Sequence, residues 1–292
     1  MVTGLGVLDV GGTHATAAHI DPRTWRVDGE PRRADIDAHA GAAAILDAIA
    51  APARGTKEPV WAIAMPDPFD YDRGIGRFHG VGKFESLDGV DMRGELAERL
   101  DADPADLHFC NDADAFTVGE WRVGAARGAE RVVGLTLGTG VGSGWVDAGR
   151  VIDPGVPKGG RAHQLQVNGA PLEESMSRRA IRRAYASVTG DHHTDVREIA
   201  DRARAGEPAA TEVLGHALRC MGRALAGPIH DFGADVIVVG GSMSASWALF
   251  EPWFREGAGD VPVPPVRIAT DADIAPLIGA AYVAVEAITT SR

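Results

Sequence analysis

The chain contains the same short pattern twice, about half a chain apart. Each copy is a β-prone run, a turn rich in glycine and threonine, and a second β-prone run. The first copy covers residues 5–20 around Asp9-Val-Gly-Gly-Thr13, and the second covers residues 131–147 around Gly138-Thr-Gly-Val-Gly-Ser-Gly144. Glycines between two extended runs predict a hairpin. We interpret the repetition as an internal duplication with one copy in each of two domains, which suits a length of 292 residues.

Outside the two copies, β-prone runs alternate with helical patterns, which predicts an α/β fold built in layers. Further strands are expected at residues 59–65, 107–110, 235–239 and 266–269. Helices are expected at residues 40–51, 89–100, 113–123, 172–188, 194–205, 208–229 and 275–288, with one more after residue 242.

Composition excludes several classes of protein. A formal net charge of −12 argues against a nucleic-acid binder held by phosphate contacts. Apolar residues at 45% and charged residues at 24% exclude global disorder. Two cysteines exclude a disulfide scaffold and suit a reducing compartment. No signal peptide and no apolar run of membrane-spanning length are apparent, so a cytoplasmic protein without membrane contacts is expected.

The first glycine turn is the sharpest local signal. Gly11 and Gly12 allow the backbone to approach a bulky anion, and Thr13 adds a hydroxyl donor. Asp9, at the end of a strand, suits a hydrated Mg²⁺ held against the same phosphates. The alternative is a plain hairpin whose glycines only supply positive φ angles.

The second glycine turn, with Gly138, Thr139 and Gly140, is neither a Rossmann fingerprint nor a Walker A loop. Alone it is a weak phosphate-binding signal. Because it occurs in the same strand–turn–strand setting as the first turn, we expect the two to bind the phosphates of one nucleotide.

Two polar segments follow apolar strands. Asn111 and Asp112 lie at the carboxyl end of a short strand, where ligands of α/β sheets collect, and Asp112 can accept a proton during phosphoryl transfer. The alternative is a helix N-cap. Gly240 and Gly241 allow a base or ribose to lie against the backbone, or they form an ordinary strand-to-helix turn.

Taken together and in this order, these segments resemble the ROK family of sugar kinases, within the actin-like ATPase superfamily. The resemblance covers essentially the whole chain. It rests on Asp9-Val-Gly-Gly-Thr13, Ala64-Met-Pro-Asp-Pro-Phe-Asp70, Asn111-Asp-Ala-Asp114, Leu135-Thr-Leu-Gly-Thr-Gly-Val-Gly142, Val239-Gly-Gly-Ser242 and Ala275-Pro-Leu-Ile-Gly-Ala280.

The resemblance implies two actin-like, ribonuclease H-like lobes around a central nucleotide and sugar cleft. The first lobe would comprise residues 1–112, with the helix at about 275–292 packing back on it. The second would comprise residues 113–274 and carry the second phosphate loop and the adenosine site. A homodimer is also expected.

The same resemblance implies the roles of individual residues. The cofactors would be ATP and Mg²⁺, with Asp112 as general base and Asn111 on the sugar hydroxyls. His163 matches the histidine of a sugar-binding stretch, and Glu173 matches a sugar-binding glutamate. Without the family, His163 would be an ordinary loop or core histidine and Glu173 a charge in the first turn of a helix. Asp67 stands where the family's sugar loop usually has glycine and is a candidate substrate contact.

Departures from the family pattern bear on the substrate. Residues 164–175 contain no cysteine, so the family's zinc site is not expected. The asparagine and tryptophan of glucokinase sugar loops are missing from residues 80–88, and Gly160 replaces a carboxylate. The resemblance therefore implies an ATP-dependent, glucokinase-like kinase for a hexose or hexose-like ring, with glucose as the expected acceptor. Another hexose, an amino sugar or a cyclitol is the alternative acceptor. A non-catalytic, sugar-sensing regulator is a further alternative, but the first turn begins at Asp9, which leaves no room for a preceding DNA-binding domain.

Overall fold

The computed structural model describes residues 4–152, 155–156 and 160–290. Its strands are β1 (Leu5–Val10), β2 (His14–Asp21), β3 (Arg26–Asp35), β4 (Trp61–Met65), β5 (Phe69–Asp70), β6 (Ile75–Gly76), β7 (Leu107–Asn111), β8 (Arg131–Leu137), β9 (Val141–Asp147), β10 (Arg150–Val151), β11 (Gln166–Val167), β12 (Ala170–Pro171), β13 (Val236–Gly240) and β14 (Val266–Ile268). Its helices are α1 (Ala42–Ala50), α2 (Met92–Leu100), α3 (Asp112–Arg122), α4 (Glu173–Met176), α5 (Arg178–Thr189), α6 (Val196–Arg204), α7 (Pro208–Phe232), α8 (Trp247–Ala258) and α9 (Ala275–Thr290).

Two compact units divide the chain, and each contains one five-stranded sheet. The first unit comprises Met1–Val123 and Asp273–Arg292, and the second comprises Gly124–Ala272. The sheet orders are β3-β2-β1-β4-β7 and β10-β9-β8-β13-β14. In both sheets an antiparallel three-stranded part continues into parallel strands. The shared topology matches the internal duplication inferred from the sequence.

The boundary between the units lies eleven residues beyond the expected one, because α3 packs in the first unit rather than the second. Gly119 of α3 lies against the backbone of Ala275, and Gly279 of α9 lies against the backbone of Ala115. A Cβ atom at either glycine would overlap those backbone atoms, so the two helices approach as closely as glycine allows. This contact ties α3 to the returning C-terminal helix.

Each sheet is covered by helices and buries an apolar core. In the first unit one core lies on the α1 and α2 side of the sheet, and another lies between the sheet and α9. In the second unit α7 and α8 supply much of one core, which surrounds the fully buried Trp145. Within the described residues, no helix is both long and apolar enough to cross a bilayer.

One local prediction was wrong, and one strand was not predicted. The helix expected at 172–188 is two helices, because Ser177 adopts an extended conformation and its hydroxyl accepts a hydrogen bond from the Ala180 amide at 3.3 Å. Strand β3 was not predicted at all, since its exposed, charged sequence lacks the alternating apolar pattern of a strand.

Candidate active site

The first unit brings two aspartates to one edge of its sheet. Strand β1 runs parallel to β4, and β4 runs parallel to β7, so their carboxyl ends share one edge. Asp9 lies near the end of β1, and its neighbours along the register are Ala64 and Cys110. Asp112 begins α3 directly after β7. The topology thus accounts for the proximity of two carboxylates that are 103 positions apart in the sequence.

The protein raises the pKa values of both carboxyl groups toward neutral pH. Desolvation by the surrounding protein, followed by repulsion from Asp112 and Asp273, raises the pKa of Asp9 to about 7, while Arg33 opposes the shift. Desolvation likewise raises the pKa of Asp112 to about 6. A group that gains and loses a proton near neutral pH suits general acid–base chemistry.

The donor set around Asp9 fits magnesium. Mg²⁺ prefers carboxylate and water oxygens and usually keeps several waters. Asp112 and Asp273 both act electrostatically against an ionised Asp9, and a divalent cation beside Asp9 would relieve that repulsion. Among the residues that the structure describes, no group of three or more His, Cys, Asp or Glu has the geometry of a ready-made metal site. A largely hydrated ion beside Asp9 is consistent with both observations.

The first glycine turn leaves an open space above its backbone. Neither Gly11 nor Gly12 has a positive φ, so conformational need does not explain the glycines, contrary to the plain-hairpin alternative. A Cβ atom at Gly12 would meet only the Cδ atom of Lys83, at 3.9 Å. The Gly11 amide donates to the His14 carbonyl at 2.9 Å, whereas the Gly12 and Thr13 amides have no partner within the described residues. Two free N–H groups with open space above them suit an anion.

Asn111 has a structural role at the start of α3. Its Oδ1 accepts hydrogen bonds from the amides of Ala113 and Asp114 at 2.9 and 3.1 Å, so it is the N-cap of α3. The cap alternative is therefore correct for Asn111. Asp112 occupies the first helical position instead, where its Oδ1 accepts from the Ala113 amide at 2.8 Å.

Tyr71 was not identified from the sequence, yet it connects three parts of this site. Its hydroxyl oxygen lies 3.1 Å from the Met65 carbonyl oxygen and 2.9 Å from Asp67 Oδ1, and it accepts a hydrogen bond from Asn111 Nδ2 at 3.0 Å. Desolvation, Asp67 and Asp112 raise the pKa of Tyr71 well above its ordinary value, so the phenol remains neutral. The network fixes the orientations of Asp67 and Asn111, two predicted substrate contacts.

The second unit contains the other glycine turn. The Gly138 amide donates to the Gly140 carbonyl at 3.1 Å, and the Val141 amide donates to Glu173 Oε2 at 3.0 Å. In the described part of the chain, the amides of Thr139 and Gly140 have no partner. The φ angles of Gly138 and Gly140 are not positive, so this turn repeats the free N–H pair of the first.

The predicted sugar ligands of the second unit have different settings. Glu173 begins α4 with its carboxylate against the glycine turn. His163 lies in the turn Ala162–Gln164, which is held to β9 by a 2.9 Å hydrogen bond from the Ala162 amide to Ser143 Oγ.

Gly160 has a structural reason to lack a side chain. Its φ is +78°, and a Cβ atom there would lie 2.5 Å from Trp145 Cδ1. The indole N–H of Trp145 also donates to the Gly160 carbonyl at 3.0 Å. A carboxylate at this position is therefore incompatible with the packing of Trp145.

The two later glycines are part of a tight turn beside the second glycine turn. Gly240 ends β13, next to Thr136 of β8. Gly241 has a φ of +82° and lies against the Leu137 backbone, so glycine is required there by the fold. Beyond it, Ser242 Oγ lies 3.4 Å from the position of a Cβ atom at Gly138. The structure thus explains Gly241 without a ligand.

Comparison with known proteins identifies the family. The model of the ROK family matches residues 5–287. The chain belongs to the ROK family. It is 31% identical over 234 residues to a glucokinase from Thermotoga maritima, and the match covers 72% of each protein. These findings confirm the predicted family and the prediction of a sugar kinase.

Solved structures confirm the fold class. A ROK hexokinase from Thermus thermophilus has a TM-score of 0.81 and 26% identity, covering 98% of this ROK chain and 99% of the hexokinase. A ROK family glucokinase from Streptomyces griseus, in complex with glucose and AMPPNP, has a TM-score of 0.76 and 23% identity, covering 98% and 100%. The chain is therefore α/β, with actin-like units as the sequence predicted.

Proposed function

We propose that this ROK protein transfers the γ-phosphoryl group of ATP to a hydroxyl of a hexose or hexose-like ring. The observation that carries the proposal is Asp112, a desolvated carboxylate at the carboxyl end of β7 with a pKa of about 6. It is ionised at neutral pH yet basic enough to take a proton from an attacking hydroxyl. The 31% identity to a glucokinase supports the reaction class.

The acceptor would be oriented by side chains that the fold already holds in place. The side-chain amide of Asn111 is fixed in orientation, because its Oδ1 caps α3 and one Nδ2 hydrogen binds Tyr71. Its second Nδ2 hydrogen is proposed to bind a sugar hydroxyl. Asp67 is proposed to contact a sugar hydroxyl, in an orientation set by the Tyr71 hydroxyl, which lies 2.9 Å from its Oδ1. Glu173 and His163 are proposed to supply further polar contacts to the ring. Orientation by such fixed groups supplies a large part of a phosphotransferase's rate enhancement.

The free amides of the two turns support nucleotide binding. We assign the phosphates of ATP to Gly11, Gly12 and Thr13 and to Gly138, Thr139 and Gly140, with Gly240 and Gly241 beside the adenosine. Asp9 would hold Mg²⁺ through water. When bound, Mg²⁺ neutralises phosphate charge and thereby favours transfer. Oriented N–H groups stabilise the same charge in the transition state without reorganising.

Glucose is the proposed acceptor. The packing around Gly160 favours a different acceptor as the alternative. Trp145 occupies the space that a side chain at Gly160 would need, so the carboxylate expected of a glucose site is missing. Sites that read hydroxyls discriminate strongly by the hydrogen bonds they offer. Another hexose, an amino sugar or a cyclitol is therefore the alternative acceptor.

A coupled ADP-release assay over hexoses, amino sugars and cyclitols tests the proposal. With Mg²⁺ and ATP, at least one acceptor should give sugar-dependent ADP release. His163→Ala and Glu173→Ala should each lower kcat/KM for that acceptor by a factor that corresponds to a loss of roughly 1–3 kcal/mol of transition-state stabilisation. Turnover of an amino sugar or cyclitol without turnover of glucose would select the alternative. No sugar-dependent ADP release with any acceptor would refute the kinase.

A further inference from the structure

Lys83 is a cation of the first unit whose side chain passes over the first glycine turn. Its Cδ atom lies 3.9 Å from the position of a Cβ atom at Gly12, and no other atom outside Gly12 and its two chain neighbours comes within 4 Å of that position. The same side chain acts electrostatically on Asp112, whose pKa it lowers against the effect of desolvation. One lysine therefore faces both the proposed phosphate-binding turn and the proposed base.

The segment that carries Lys83 is anchored on both sides. The Phe84 amide donates to the Ala38 carbonyl at 2.8 Å, and the Phe84 ring is fully buried against Phe78. The Gly82 amide donates to Glu85 Oε1 at 3.0 Å, and the Ser86 hydroxyl donates to the Ala40 carbonyl at 2.8 Å. Since its neighbours are fixed, Lys83 is presented from a defined position.

Nothing in the described residues accounts for this cation structurally. Its ammonium group forms no ion pair or hydrogen bond with any of them. By contrast, Lys57 pairs with Asp101 on the surface. A half-buried lysine that has no partner, beside two free backbone amides and a reactive carboxylate, points to an anionic ligand.

We infer that Lys83 is a further catalytic residue, whose ammonium group binds the γ-phosphoryl group during its transfer. This inference rests on the proposed kinase function. The acceptor oxygen forms a bond to the γ-phosphorus while the bond from that phosphorus to the β,γ-bridging oxygen breaks. The bonding electrons leave with ADP, and the hydroxyl proton goes to Asp112. The ammonium group of Lys83 neutralises charge on the phosphoryl oxygens.

The position of Lys83 explains how base and phosphoryl group can act side by side. An ionised Asp112 would repel the negative phosphoryl oxygens, and a cation between them reduces that repulsion. The same charge keeps Asp112 a carboxylate in a desolvated site. Lys83 thus favours phosphoryl transfer in two ways.

Nucleotide affinity tests the inference without requiring turnover. Calorimetric titration would compare Mg·AMPPNP with Mg·ADP for wild type, Lys83→Met, Lys83→Arg and the surface control Lys57→Met. Lys83→Met should weaken AMPPNP binding by about tenfold or more and change ADP binding little, because only AMPPNP carries the γ-phosphate. Lys83→Arg should keep most of the affinity, and Lys57→Met should match wild type. Equal AMPPNP affinity in wild type and folded Lys83→Met would overturn the inference.

Kinetics separates this inference from the kinase proposal. With an acceptor that the wild type phosphorylates, Lys83→Met should lower kcat by about a hundredfold and leave KM for a neutral sugar nearly unchanged. A selective loss of turnover on sugar acids, with unchanged AMPPNP affinity, would show that Lys83 instead recognises an anionic acceptor. If the wild type phosphorylates no sugar while AMPPNP affinity still depends on Lys83, the kinase proposal fails and the phosphate contact stands.

Discussion

Replacing Asp9 with asparagine should make folding less sensitive to pH. Below pH 3.8 the carboxyl group is protonated in the folded and the unfolded chain, so it has no effect on stability. As the pH rises, the unfolded chain loses this proton first, because the folded pKa is about 7. The folded state therefore loses stability through this window, and the loss is complete above the folded pKa.

The size of the effect follows from the shift. Raising the pKa from 3.8 to about 7 spans about 3 units, and each unit corresponds to about 1.4 kcal/mol. Part of the loss has already occurred at pH 5, so about 3 kcal/mol remains between pH 5 and pH 8.5. Asp9→Asn should abolish this part of the pH dependence, and at pH 8.5 it should be more stable than wild type by the full linkage energy of about 4 kcal/mol.

Urea unfolding in the presence of EDTA measures this difference, followed by the fluorescence of the chain's six tryptophans, which include the buried Trp61 of the first unit. The free energy of unfolding would be compared at pH 5 and pH 8.5 for wild type, Asp9→Asn and the exposed control Asp260→Asn. Titrating groups that do not interact with Asp9 are common to all three proteins and cancel in the comparison. If Asp9→Asn had the same pH dependence of unfolding free energy as wild type, the reasoning would be refuted, since Asp9 would then be solvated like an ordinary aspartate.

Three further predictions concern the site. Gly12→Ala should leave thermal stability unchanged but weaken AMPPNP binding measured by calorimetry. Gly241→Ala should instead destabilise the fold by about 1–3 kcal/mol in the same urea assay, because Gly241 has a φ of +82° and lies against the Leu137 backbone. Tyr71→Phe should raise KM for the acceptor by roughly tenfold with little change in KM for ATP, because Asp67 and Asn111 lose their shared partner; unchanged acceptor kinetics would remove Tyr71 from the site. The pH profile of kcat/KM should fall below pH of about 6 as Asp112 gains its proton, and a flat profile down to pH 5 would argue against it as the base.

The strand–turn–strand duplication was readable because it depends on local chemistry. Glycine turns between apolar runs, and polar residues at strand ends, specify hairpins and sheet edges without knowledge of distant parts of the chain. Asp9 and Asp112 could each be placed at the end of a strand for this reason. The N-cap role of Asn111 was also among the alternatives that the sequence offered.

The roles of Tyr71 and Lys83 could not be read in the same way. Both lie in the long segment between β4 and α2, whose course depends on anchors such as the Phe84 amide on the Ala38 carbonyl. A lysine that reaches Gly12 across 71 positions leaves no periodic signal. The polar strand β3 was missed for a related reason, since only its pairing with β2 makes it a strand.

Transfer of labelled phosphate from [γ-³²P]ATP to glucose, with wild type and Asp112→Asn side by side, tests the central claim most directly. Wild type should form labelled sugar phosphate in the presence of Mg²⁺, with the wider acceptor panel applied if glucose is poor. Asp112→Asn should bind AMPPNP and acceptor normally while kcat falls by about a hundredfold or more, the usual scale for a lost general base. Wild-type turnover in a correctly folded Asp112→Asn variant would contradict the account and leave Asp112 as part of a helix terminus.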